Sequence, residues 1–240
     1  MKQPPKYVLD ILCALGRAGH SAALAGGCVR DSLLGRRPND WDVASSARPE
    51  EVLALFPRCV PTGLRHGTVT VLSRGGAVEV TSFRAEGAYS DHRRPDSVAF
   101  GCSLEEYLAR RDLTVNAMLM DICTGEIVDH WGGREDLKSG VLRHVDASTF
   151  PEDALRVFRV AQFAARFEMR VAQETIELCR GMDVRDLTRE RVYEETCKAL
   201  LQAKQPSVFF AVLEAVGHLE EFFPEVAATR GVPQNPQYHP

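Results

Sequence analysis

Two observations predict an α+β chain: strand-like and helical runs alternate as far as about residue 147, and from there to residue 228 only helical patterns follow. A third supports the division. The 240 residues are enough for two cores, and at 45% apolar and 26% charged the composition is that of an ordinary folded protein. The expected architecture is a mixed β-sheet with flanking helices over residues 1–147 and an all-α domain over 148–228. An extended tail, TRGVPQNPQYHP, follows over 229–240.

In chain order, Val8, Ile11, Leu12 and Leu15 recur at helical spacing ahead of Gly19, which marks an opening helix. AALAGG reads as a strand that breaks at Gly26-Gly27, CVRDSLLG as a short helix ended by Gly35, and DWDVASS as a second strand. PEEVLALF is helical, with Pro49 in its first turn. TVTVLS and AVEVTSFR alternate on either side of Arg74-Gly75-Gly76, a hairpin signature. From Ala85 to Ser97, AEGAYSDHRRPDS has no core-forming pattern and reads as a long mobile loop. Ser103 and Glu106 are spaced as a capping box for a helix through SLEEYLARRDLTVNAM. LMDICTGEIVDH then reads as a hairpin and VLRHV as a last strand. PEDALRVFRVAQFAARFEM, QETIELCRGM, RERVYEETCKALLQ and PSVFFAVLEAVG predict the helices of the second domain.

The seven cysteines are scattered and never form a C-x-x-C pair, which points to neither a disulfide framework nor a zinc site and fits a reducing cytoplasm. No apolar run approaches membrane-spanning length, and MKQPPKYVLD lacks a secretory pattern, so no membrane partner is expected. The net charge of −4 argues weakly against nucleic-acid binding. Arginines nevertheless gather at 36–37, 93–94, 110–111 and 156–170, which leaves room for a local basic groove as well as for plain solvated helix faces.

In DWDVA, Asp40 and Asp42 are two apart, so on a strand both carboxylates face one way and Trp41 the other. Such anions repel unless a hard divalent cation, best Mg²⁺, neutralises them. Glu79, on another predicted strand, is a third acid that strand pairing could bring alongside. A triad of this kind can hold two ions about 3.5–4 Å apart for phosphoryl chemistry. D-x-D alone is weak, and by itself an exposed surface pair or a helix-capping acid is the commoner explanation. Upstream, Gly26 and Gly27 lead into a helix carrying Arg30, where backbone N–H groups can approach phosphate oxygens; a tight strand-to-helix turn accounts for the same glycines.

Taken together, LAGGCVRDSLLGRRPNDWDVA, VEVTSFR, AYSDHRRPDSV, RRDLTVNAM, DHWGGREDLKSGVLRHV, PEDALRVFRVAQFAARF and ERVYEETCKALL resemble, in order, the motifs of class II tRNA nucleotidyltransferases (CCA-adding enzymes) and the related bacterial poly(A) polymerases. The resemblance covers roughly Leu24 to Leu201. It implies a nucleotidyltransferase head followed by a helical neck, with Mg²⁺ on Asp40 and Asp42, Glu79 assisting, and addition of nucleotides from CTP and ATP to a tRNA 3′ end. Arg111, Asp112 and Asn116 match the motif that contacts the ribose, where Asp112 can accept from a 2′-hydroxyl. For Arg110 a structural ion pair is the preferred role. Glu152, Asp153 and Arg156 match a motif that acts as a protein template for the incoming base, placed at the start of the first neck helix. Cytosine and adenine each offer an amino donor beside a ring-nitrogen acceptor, which Asp153 and Arg156 complement; guanine and uracil present the reverse. Arg159 lies one turn further, suited to a triphosphate contact or a surface ion pair. Glu190, Arg191 and Glu194 match a bracing motif, and His66 in RHGTV shapes a turn.

The loop from Ala85 to Phe100 resembles the flexible loop of complete CCA-adding and A-adding enzymes, which CC-adding enzymes lack. A poly(A) product is the runner-up within the family. From another class, the alternative is a non-catalytic nucleotide- or RNA-binding module, against which intact Asp40, Asp42, Asp153 and Arg156 argue. Family members usually continue further, and the end of this chain resembles the lead-in to their tRNA-gripping helices. Weak tRNA binding, a homo-oligomer or a partner supplying that surface are all consistent with this length.

Overall fold

The structure, a computed structural model, describes residues 3–64, 67–86 and 98–233. It divides into two compact units, Met1–Asp153 and Ala154–Pro240. His66, the middle of the expected 85–97 loop and the end of the expected tail lie outside the described residues.

In the first unit, helix α1 (Lys6–Arg17) buries Val8, Ile11, Leu12 and Leu15, the stripe that its 3.6-residue spacing specifies. Strand β1 (Ala22–Ala25), helix α2 (Gly27–Leu33), strand β2 (Asp42–Ser45) and helix α3 (Pro49–Leu55) follow. Next come β3 (Cys59–Gly63), β4 (Thr68–Ser73), β5 (Gly76–Ser82), β6 (Arg84–Glu86) and β7 (Val98–Phe100). Helix α4 (Leu104–Ala109), strands β8 (Leu119–Met120) and β9 (Ile127–Val128) and helix α5 (Gly133–Ser139) complete the set used below.

Seven strands form one mixed sheet in the order β3-β4-β5-β2-β1-β8-β9. Val69, Val71, Val78 and Val80 are buried at alternate positions of the β4–β5 hairpin, as period-2 patterning requires. β2 runs antiparallel to β1 but parallel to β5, with Asp42 opposite Glu79. Strand β3 was not expected: its pattern is broken by Pro61, tolerated because β3 is an edge.

Several boundaries differ from expectation. Ala85 and Glu86, assigned to the loop, pair with Ala99 and Val98, which gives their backbone groups partners. β2 begins at Asp42, not Asp40; on its β1 side the partner strand ends at Ala25, so no ladder continues there. The helix opened by the Ser103–Glu106 capping box stops at Ala109 instead of running through Asn116. The reason lies across the chain: Thr114 N donates to Arg143 O at 2.9 Å, Val145 N to Asp112 O at 3.2 Å, and Leu113 forms a bridge with His144. These contacts pull the segment out of helix, leaving only a 3₁₀ turn at Thr114–Asn116. The strand expected in VLRHV is limited to Val141–Leu142.

In the second unit, α6 (Arg156–Phe167) is buried on most sides and packs against α8 (Arg189–Gln202) and α9 (Ser207–Ala215). Helix α7 (Gln173–Arg180) and the short α10 (Leu219–Phe222) and α11 (Pro224–Ala227) surround them. Its core is aromatic: Phe158 lies edge-on to Phe222 at 5.0 Å, and Phe209 to Phe223 at 6.0 Å. Apart from a two-residue strand at Arg170–Val171, the described residues of this unit hold only helices and connections. No helix among the described residues is long and apolar enough to cross a membrane.

Candidate active site

Asp42 opens β2 and meets Glu79 of β5 directly across the parallel ladder, so the third acid does come alongside the second. Asp40 sits in the bend before the strand, exposed, while Trp41 is 6% exposed, so the in–out alternation persists ahead of the first ladder pair. Burial pushes the Asp42 carboxyl up to about 6, opposed by the Arg111 guanidinium and reinforced by the charges of Glu79 and Asp40. Asp42 and Glu79, with the charge of Asp40 near enough to act on Asp42, offer carboxylate oxygens of the kind Mg²⁺ prefers. No three metal-ligating side chains converge into a complete cage among the described residues. That is compatible with Mg²⁺, which takes one or two carboxylates and fills its other positions with water and substrate phosphate.

Beside these acids opens a cleft of about 280 Å³ lined by Asp42, Glu79, Thr68, Thr81, Tyr107, Arg84, Arg110 and Arg111. A cleft lined by both acids and arginines can hold a metal-bound polyphosphate. Gly26 has φ +68°, and a Cβ there would stand 2.7 Å from Arg111 Nη1, so glycine is needed both for the turn and for the guanidinium. The Gly26 N–H is already committed to Met118 O at 3.1 Å. A Cβ at Gly27 would meet Arg30 Nη2 at an ordinary contact distance of 3.5 Å, so space alone does not demand glycine there.

Arg30, Asp112 and Asn116 come together in a buried chain. Arg30 Nη1 donates to Asn116 Oδ1 at 2.5 Å, and Asn116 Nδ2 to Asp112 Oδ1 at 3.0 Å. The same Asp112 oxygen accepts from Leu113 N at 2.8 Å. This network ties α2 to the 112–116 segment. Arg110 takes the structural ion pair expected of it, with Glu152 as partner at 2.5 Å.

Glu152 belongs to a 3₁₀ turn, Phe150–Glu152, and Asp153 is extended, with φ −123° and ψ 103°. The expectation that both open a helix with Arg156 is corrected: the helix starts at Arg156, after Pro151 and the Arg110–Glu152 pair have fixed a separate turn. Arg156 is 7% exposed. Arg159 stands 3.9 Å from Glu195 Oε1 and 5.4 Å over the Phe163 ring, while Lys198 Nζ donates to the same Glu195 oxygen at 2.7 Å. Glu195, 3% exposed and next to the exposed Glu194, is thus an ionic tie between α8 and α6 that the sequence reading did not single out.

Tyr107, Arg84, Thr68 and Thr81 were missed. Thr81 was within reach, two residues past Glu79 on the same strand face, and Tyr107 stands four before Arg111.

A family model described as the Poly A polymerase head domain matches residues 22–143. The chain is 47% identical over 177 residues to a CCA-adding enzyme of Geobacillus thermodenitrificans, covering 73% of this chain and 44% of that one. To a CCA-adding enzyme of Anoxybacillus flavithermus it is 41% identical over 234 residues, covering 96% and 58%. Among solved structures, the crystal structure of the Bacillus stearothermophilus CCA-adding enzyme in complex with CTP superposes with a TM-score of 0.81 at 38% identity, covering 91% of this chain and 53% of the other. The chain spans about half the length of the curated relatives it matches.

Proposed function

This chain belongs to the family of the poly A polymerase head domain, and on that footing we propose that it is a template-independent nucleotidyltransferase that adds C and A from CTP and ATP to the 3′ end of tRNA. The observation that carries the reading is the Asp42–Glu79 pair at the mouth of an arginine-lined cleft. Likeness to CCA-adding enzymes over 96% of the chain supports the choice of substrate. In the proposed division of labour, residues 1–147 hold the triphosphate and the catalytic acids, residues 148–228 select the base, and the reaction takes place in the cytoplasm.

The terminal RNA 3′-oxygen attacks the α-phosphorus in line, a new phosphodiester forms, and pyrophosphate leaves. Asp42 and Asp40, with Glu79 assisting, would hold Mg²⁺, which when bound neutralises phosphate charge and activates the hydroxyl. Arg111, expected beside the ribose, lines the same cleft as Asp42 and Glu79, and with Arg84 it offers positive charge to the nucleotide's sugar and phosphates. Asp112 and Asn116, held by Arg30, shape the sugar subsite. Asp153 and Arg156 read the amino and ring-nitrogen edge shared by cytosine and adenine, with Glu152 and Arg159 supporting them.

Offering each labelled nucleotide separately, with Mg²⁺ and a tRNA lacking its 3′ end, tests the proposal. Incorporation of C and then A is expected; ATP alone would mark an A-adding enzyme, and repeated A a poly(A) polymerase. CTP binding without any incorporation would sink the enzyme reading. Replacing Asp153 by alanine should relax base choice by on the order of a hundredfold, read as the ratio of CTP to UTP incorporation. Unchanged rejection of UTP and GTP would remove Asp153 from the template.

A further inference from the structure

Tyr107 is 7% exposed and its ring belongs to the core cluster with Ala25, Ala44, Leu108 and Leu119. Packing alone would be served by phenylalanine, and the ring already has an aromatic neighbour in Phe83 at 5.6 Å. The hydroxyl is therefore the informative atom. It accepts a hydrogen bond from Arg111 Nη2 at 2.6 Å, while the guanidinium carbon lies 5.2 Å from the Tyr107 ring centroid. On the other side, Nη1 of the same guanidinium occupies the space that a side chain at Gly26 would fill. Arg111 thus sits between Tyr107 and the Gly26 turn, at the wall of the cleft that also contains Asp42 and Glu79.

We propose that Tyr107 is a positioning residue, which through its hydroxyl holds the Arg111 guanidinium ready for the anionic groups of the incoming nucleotide. The inference rests on the nucleotidyltransferase reading. A planar cation fixed before substrate arrives loses little freedom on binding, so the hydroxyl contributes to nucleotide affinity without touching the nucleotide. Burial works to lower the Arg111 pKa, but interaction with Tyr107 and the charges of Asp42 and Asp112 leave it raised. The group stays cationic throughout the working range.

The test compares wild type, Tyr107→Phe, Arg111→Lys and the double variant in CTP binding without RNA, in KM and kcat, and in thermal melting. Tyr107→Phe keeps the ring and removes only the hydroxyl. It is expected to weaken CTP binding and raise KM roughly fivefold to twentyfold, a larger factor than any fall in kcat. In the Arg111→Lys background the same change should add less than twofold, because the partner it positions is gone. A lowered melting temperature with unchanged KM would reduce Tyr107 to a packing residue, and independent, multiplying losses would likewise overturn the proposal. Absence of CTP binding by the wild-type protein would overturn the function reading and this inference with it.

Discussion

Asp42 is half-buried beside two other acids, and its carboxyl titrates near 6 instead of its ordinary 3.8. Because the folded-state value is raised, the group favours folding below about pH 4, and that contribution is lost as pH rises through about 6. Two outcomes follow at pH 7.5 without metal. Asp42→Asn should melt roughly 2–4 °C higher than wild type, since it removes a poorly compensated charge. The same variant should lose activity on the order of a hundredfold or more. Mg²⁺ should stabilise the wild type more at pH 7.5 than at pH 5, where protons compete for the same oxygens. Equal Mg²⁺ shifts at both pH values, read by calorimetry, would remove Asp42 from the metal site. The pairing of these acids was foreshadowed by D-x-D and by Glu79 on a strand. The network of Arg30, Asn116 and Asp112 was not, since hydrogen bonds between residues so far apart in the chain leave no periodic trace.

Elements were legible where one face is buried and their ends carry caps. Ser103 and Glu106 marked the start of α4, and the two alternating runs marked the β4–β5 hairpin. The end of α4 was hidden, because the pull on residues 112–114 comes from Arg143, His144 and Val145, which are distant in sequence. α5 is braced against the same segment: a Cβ at Gly133 would stand 2.2 Å from Thr114 O. Gly133→Ala should therefore destabilise by about 1–3 kcal/mol and disturb the neighbouring Asp112–Asn116 chain. Gly16, in α1 with nothing within 4 Å of its virtual Cβ, should respond in the opposite sense, Gly16→Ala stabilising by about 0.5–1 kcal/mol. Chemical denaturation of both variants checks the pair, and a loss at Gly16 equal to that at Gly133 would contradict the packing argument.

At the scale of the molecule, the division into a mixed sheet and a helical unit follows from the change of hydrophobic period. The net charge of −4 says little, because the arginines of the cleft are local. RNA affinity should fall with salt at a log–log slope of about −2 or steeper, while CTP binding changes less. Salt-independent RNA binding in a filter assay would argue against contacts to the phosphate backbone. The parallel seam between β2 and β5 adds a kinetic consequence. The hairpin β4–β5 can close by itself, but the seam joins strands that are not successive, so it waits on a long loop closure. During refolding from denaturant, far-ultraviolet ellipticity should recover ahead of the ability to capture CTP, leaving an interval in which the chain is largely ordered yet still inert.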